Sequence, residues 1–172
     1  MYRKITNRLL EWRQRHSRKP MILQGAGQVG KTYSILDFGA RYYENTAYFN
    51  FETNPGLADV FSGDISPEYL LPTLSRIAGR TLSKGTLIVF DEVQLCERAL
   101  TSLKYFCENT PEYSVAAVGS LLGAAVNRRE NSFPVGKVDL LTQHPMDMEE
   151  FLLARGEAKL AELIREHFEV LA

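Results

Sequence analysis

The sequence predicts an α/β fold in which a parallel sheet is covered on both faces by helices. Short apolar runs near residues 21, 47, 86, 114 and 138 alternate with segments of helical periodicity, so each connection is read as a right-handed crossover. Two of those runs end in residues suited to chemistry: the first in a glycine-rich loop, residues 25–32, the third in the pair Asp91-Glu92. A chain of 172 residues is long enough for one such domain and short for two. No internal repeat or low-complexity tract interrupts the pattern.

Composition removes several function classes. With 45% hydrophobic residues, 24% charged residues and a net charge of -1, the chain is neither disordered nor dominated by nucleic-acid binding. Charge is unevenly placed: residues 1–20 hold seven Lys/Arg against one acid, a net +6 that leaves -7 for the rest. That leaves open an anionic partner at the N-terminus and, the commoner explanation, a solvated helix face. Residues 147–172 are net -4. Cys96 and Cys107 have no second pair and no histidine cluster nearby, which excludes a disulfide framework and gives no zinc spacing. Nothing approaches the ~18 apolar residues of a membrane span, and the basic N-terminus lacks the pattern of a signal peptide. A cytoplasmic setting without membrane contact is the expectation.

Residues 4–15 place Ile5, Leu9 and Trp12 at helical spacing, with Trp12 read as core ahead of the alternative, stacking on a ligand. After Pro20, Met21-Ile22-Leu23 is a short strand of the wholly apolar kind found in the middle of parallel sheets. The loop Gly25-Ala26-Gly27-Gln28-Val29-Gly30-Lys31-Thr32 carries Gly-x4-Gly-Lys-Thr, the pattern of a phosphate-binding loop. Such a loop points successive backbone N–H groups inward, and side chains at Gly25 and Gly30 would obstruct the approach. Lys31 would reach the β- and γ-phosphates and Thr32 would coordinate Mg2+, with the following helix adding its positive dipole end. Gly25 to Thr32, together with Tyr33, are the candidate nucleotide-binding residues. Residues 31–43 read as that helix, with Tyr33, Leu36, Ala40 and Tyr43 on one side. Residues 47–51 are the next strand, and Ser66-Pro67-Glu68 starts a helix to about Ala78, stopped at Gly79 although Pro72 falls inside it.

Residues 86–92 form an apolar strand that delivers Asp91 and Glu92 to the edge where open α/β sheets place ligands. About 60 residues beyond a phosphate loop, this resembles a Walker B motif, with Asp91 in the Mg2+ shell and Glu92 activating water. Residues 99–108 follow as a helix packing through Leu100, Leu103, Tyr105 and Phe106, with Cys96 and Cys107 as small buried apolar residues. Residues 114–120 are a strand ending in Ser120, read as a sensor of the γ-phosphate or as a loop serine bonding its own backbone. A short apolar helix over 121–126 precedes a polar loop in which Arg128 and Arg129 are candidates for a charge-stabilising arginine, though adjacent loop arginines are more often solvated. Residues 135–141 are the last strand, and helices run over 146–154 and 157–171, broken at Gly156.

With these motifs in place, the chain resembles the N-terminal AAA-type P-loop ATPase domain of bacterial and archaeal ATPases that carry a C-terminal domain of unknown function. The resemblance is most specific at Phe90-Asp91-Glu92-Val93-Gln94, Ser102 to Glu108, Gly119-Ser120-Leu121-Leu122-Gly123, and Ser132-Phe133-Pro134 running on to Leu152. It implies a three-layer, five-stranded core of strand order 5-1-4-3-2, with Lys31 and Thr32 on nucleotide and metal, Asp91 and Glu92 on metal and water, and Ser120 in the sensor position. Relatives often carry an arginine in the phosphate loop where this chain reads Ala26-Gly27-Gln28, so no such role transfers. They also continue into a lid and a C-terminal domain, and the chain is expected to be one domain of a longer protein.

The expected function is ATP binding with Mg2+-dependent hydrolysis, Glu92, Lys31 and Ser120 being the candidate catalytic residues. The alternative is a nucleotide-gated binding module with little hydrolysis that engages a partner, nucleic acid among the candidates, through the basic N-terminal segment. A homo-oligomer is also left open. A small-molecule kinase is disfavoured, because it needs an acceptor site rather than a water-activating acid.

Overall fold

The computed structural model describes residues 1–120 and 134–171, with side chains described up to His167. Five strands build one sheet: β1 (Met21–Gln24), β2 (Asn45–Asn50), β3 (Thr86–Asp91), β4 (Ser114–Gly119) and β5 (Asp139–Thr142). All neighbours are parallel, in the order β2-β3-β4-β1-β5, which is the expected order read from the other edge. The helices are α1 (Ile5–Gln14), α2 (Lys31–Tyr42), the short α3 (Leu57–Val60), α4 (Pro67–Ala78), α5 (Glu97–Asn109), α6 (Met148–Ala154) and α7 (Ala158–Leu171).

Alternation along each strand sends successive side chains to opposite faces, so the sheet carries two cores. One joins Ile22, Phe49, Ile88, Phe90, Val115 and Ala117 to α3, α4 and α5. The other joins Met21, Leu23, Leu87, Val89, Ala116 and Val118 to α1 and α2. β3 and β4 are buried along their whole length, which is why their sequences are apolar on both faces rather than alternating. Phe90 anchors the first core with ring contacts to Phe49, Phe51, Phe61 and Phe106. Trp12 is 2% exposed and its Nε1 donates to the Lys19 carbonyl at 2.7 Å, so it is a core residue with its polar end satisfied.

Several elements differ from their expected form. The last strand was expected from residue 135, but a turn closed by Lys137 N–H to the Pro134 carbonyl, with Gly136 at φ +73°, keeps Val135 80% exposed and delays pairing to Asp139. On α2 the packed face is Ile35, Phe38 and Gly39, while Tyr33 is exposed, because the sheet sees the neighbouring stripe of the helix. Cys96 is buried, but Cys107 is only half-buried. Pro72 sits on the exposed side of α4, which continues through it to Gly79. The helix expected over 121–126 and the loop with Arg128 and Arg129 lie outside the described residues. No helix of the described residues is long and apolar enough to cross a membrane.

α6 opens with a capping box: Asp147 accepts from the Glu150 N–H at 2.8 Å and Glu150 accepts from the Asp147 N–H at 3.0 Å. That N–H bond, reinforced by Lys4 at 2.7 Å, holds the Asp147 carboxyl below the ordinary carboxylate range. A carboxyl acidified by folding stabilises the fold above its unfolded value and loses that contribution as pH falls through its folded value. Asp147→Ala should therefore lower stability by about 1 kcal/mol at neutral pH. Denaturant titrations at pH 7 and at about pH 3 should show the gap between variant and wild type shrinking in acid; an equal gap at both would remove the charge from the cap.

Candidate functional site

Parallel strands all end at the same edge, and the residues just past those ends meet there. Asp91 pairs in register with Asn50 on β2 and Val118 on β4; Gln24 pairs with Gly119 on β4 and Thr142 on β5. The next residues of each chain segment are therefore neighbours: Gly25, Phe51, Glu92, Ser120 and Gln143.

The loop between β1 and α2 needs its glycines for two different reasons. A Cβ at Gly25 would run into the backbone carbonyl of Gln143, which packs directly behind the loop. Gly30, at φ +88°, takes the left-handed conformation that starts α2. Ala26, Gly27 and Gln28 form the exposed rim, with Gln28 also left-handed at φ +61°, and Val29 is buried beneath it. Lys31 is 8% exposed and folds back over the loop, its Nζ donating to the carbonyls of Gly25 at 3.0 Å and Ala26 at 2.5 Å. Burial pushes the Lys31 ammonium below its ordinary range, opposed by the charges of Glu92 and Asp91.

The two motifs are joined by one hydrogen bond. The Thr32 hydroxyl donates to Oδ2 of Asp91 at 2.6 Å, across 59 residues of sequence. The same oxygen accepts from the Tyr48 hydroxyl at 2.6 Å, and Oδ1 accepts from the Glu92 N–H at 2.8 Å. Three donors thus satisfy a carboxylate that is 1% exposed. Asn50 donates to the Tyr48 oxygen at 3.0 Å, and desolvation together with the Asp91 bond pushes the Tyr48 phenol up to about 12.

Glu92 is half-buried, sits at φ +54°, ψ +41°, and accepts a hydrogen bond from the Gln94 side chain. A left-handed non-glycine residue is strained, and here the strain turns the chain sharply from β3 into a short 3-10 turn, Val93–Leu95. Ser120 is half-buried immediately beyond β4.

The structure therefore gathers Gly25, Gly30, Lys31, Thr32, Asp91, Glu92 and Ser120 at one edge. The side chain of Tyr33, which follows Thr32 in the first turn of α2, is 47% exposed, its hydroxyl accepting from the N-terminal ammonium at 3.4 Å. Sequence reasoning missed Tyr48; its only local signal was a place on the exposed side of an otherwise packed strand, two residues before the edge. Arg3 and Gln143, whose side chains both donate to the Val29 carbonyl at 3.0 Å, were missed as well. The oxygens of Thr32 and Asp91 are hard donors of the type Mg2+ prefers, and their convergence fits that ion.

A family model described as an AAA domain matches residues 17–152. No curated protein matches the chain. Among solved structures, the fold is similar to that of the ORC1 protein of Aeropyrum pernix, determined in complex with DNA. The TM-score is 0.54 at 18% identity, over 90% of this chain and 47% of that one. The Pif1 helicase of Candida albicans is similar with a TM-score of 0.46 at 12% identity, over 88% of this chain and 41% of that one. The chain thus spans less than half the length of either.

The backbone at Glu92 yields a prediction independent of catalysis. Glycine is at ease in the left-handed region, so Glu92→Gly should raise stability by up to about 1 kcal/mol after its own entropic cost. Glu92→Gln, which keeps the strain, should not. Thermal unfolding of the two variants decides; equal midpoints would show that the backbone is not strained there.

Proposed function

Because this chain belongs to the AAA-domain family and is an AAA-type P-loop ATPase domain, we propose that it binds ATP with Mg2+ and hydrolyses it at this sheet edge. The 2.6 Å bond between Thr32 and Asp91 carries the reading, because it brings the phosphate-loop hydroxyl and the acid of β3 to one point. The N–H groups of the loop and of the first turn of α2 bind phosphate oxygens, and Lys31 exchanges its two loop carbonyls for them. Thr32 and Asp91 would hold Mg2+, which would supply charge neutralisation on the phosphates. Gly25 to Thr32 provide the cradle, and Tyr33 adds its backbone N–H from the first turn of α2, its side chain facing away.

Glu92 orients a water and takes its proton as the oxygen attacks the γ-phosphorus, while the bond to the bridging oxygen breaks and ADP leaves. Gln94 steadies the Glu92 carboxylate for this task. Ser120, at the end of the strand between the two motif strands, contacts the γ-phosphate.

Engagement of nucleic acid through the basic N-terminal segment has less support than the residue count suggests. Arg3 is buried, Lys4 and Arg15 are paired with carboxylates, and Arg18 donates to two backbone carbonyls.

Lys31→Ala should abolish nucleotide binding, whereas Glu92→Gln should bind normally and lose turnover by about 100-fold or more. Calorimetric titration with ATP and Mg2+, paired with phosphate release, separates the two. A Glu92→Gln protein turning over at the wild-type rate would remove Glu92 from the chemistry.

A further inference from the structure

One arginine does something the nucleotide site itself does not explain. Arg3 is 5% exposed, and its guanidinium reaches three separate stretches of chain. Nη1 donates to the Val29 carbonyl at 3.0 Å, Nη2 to the His144 carbonyl at 2.9 Å, and Nε to Glu150 Oε1 at 3.3 Å. Glu150, also 5% exposed, is fixed in turn by the N–H groups of Lys4 at 2.7 Å and Asp147 at 3.0 Å. Gln143 Nε2 meets the same Val29 carbonyl from β5's side at 3.0 Å.

The consequence falls on the next residue. A trans peptide is planar, with its C=O and N–H pointing in opposite directions. Two buried donors on the Val29 carbonyl therefore fix the plane of the Val29–Gly30 peptide and direct the Gly30 N–H away from Arg3. Arg3 also lies close behind Gly30, where a Cβ would come within 3.2 Å of Nη1. A phosphate loop binds through N–H groups turned toward the phosphates, and fixing that direction in advance spares the ordering cost on binding.

We propose that Arg3 is a positioning residue for the phosphate loop, acting through the Val29 carbonyl to hold the Gly30 N–H in its phosphate-binding direction. The proposal rests on the phosphate-site reading above. A buried ion pair is a weak source of stability, since packed apolar residues of similar volume often serve as well, so direction is what Arg3 supplies. Lysine cannot replace it, because three acceptors on three segments need the planar fork of a guanidinium.

The test uses two probes on wild type, Arg3→Lys and Arg3→Met: ATP, and inorganic tripolyphosphate, which has no base or sugar. Both are titrated by calorimetry at fixed Mg2+, alongside thermal unfolding. Both variants should bind both probes about tenfold more weakly. Arg3→Lys keeps a cation for Glu150 and carries the test if Arg3→Met does not fold. A variant that melts earlier but binds tripolyphosphate as wild type does would reduce Arg3 to an anchor. A loss confined to ATP would make it a contact to the nucleoside, overturning the proposal. A wild-type protein that binds neither probe removes the phosphate-site reading itself, and this inference with it.

Discussion

A strand buried on both faces has only its ends to offer to chemistry. β3 and β4 are such strands, and because every strand runs the same way, their usable ends lie along one edge. The candidate site residues on these strands follow from that geometry. The phosphate loop leaves β1, the acidic pair leaves β3, Ser120 leaves β4 and Gln143 leaves β5, each within a residue of its last ladder bond. The helices need only cover the two faces and return the chain to the opposite edge.

Placing a carboxylate at such an edge raises a problem of its own, because burial penalises an unpartnered charge. Asp91 solves it with hydroxyls and a backbone N–H rather than with a cation. Thr32 and Tyr48 share one of its oxygens, so strand β2 and helix α2 are both tied to the end of β3 through a single atom. Lys31, the nearest cation by sequence logic, instead spends its protons on the loop's own carbonyls. Asp91 and Lys31 are thus satisfied within the protein, by partners of the kind that oxygen ligands can exchange.

Much of this was legible locally. The glycine spacing, the apolar run into Asp91-Glu92, the Ser66-Pro67 start and the Gly79 stop are short-range signals, and each element stands where those signals put it. What sequence could not show depends on contacts across the chain. Arg3 counted toward a basic patch, yet it is buried against residues 26, 141 and 147 positions away. Tyr48 reaches Asp91 only because β2 and β3 pair in one particular register. The exposed Tyr33 and the late start of β5 have the same origin: periodicity shows that a stripe or strand exists, while the neighbouring element decides which stripe packs and where pairing begins.

The distance in sequence between Arg3 and Glu150 has a consequence in time. Contacts so far apart close long loops, here across 147 residues, and bear their entropy cost. A ribosome makes the glycine loop early, but the residues that back it, Gln143 on the end of β5 and Glu150 in α6, come more than a hundred residues later. At ordinary synthesis rates that interval is on the order of 10 s. During it the loop has its full sequence but not its scaffold, so the nascent chain carries the motif before it has the site.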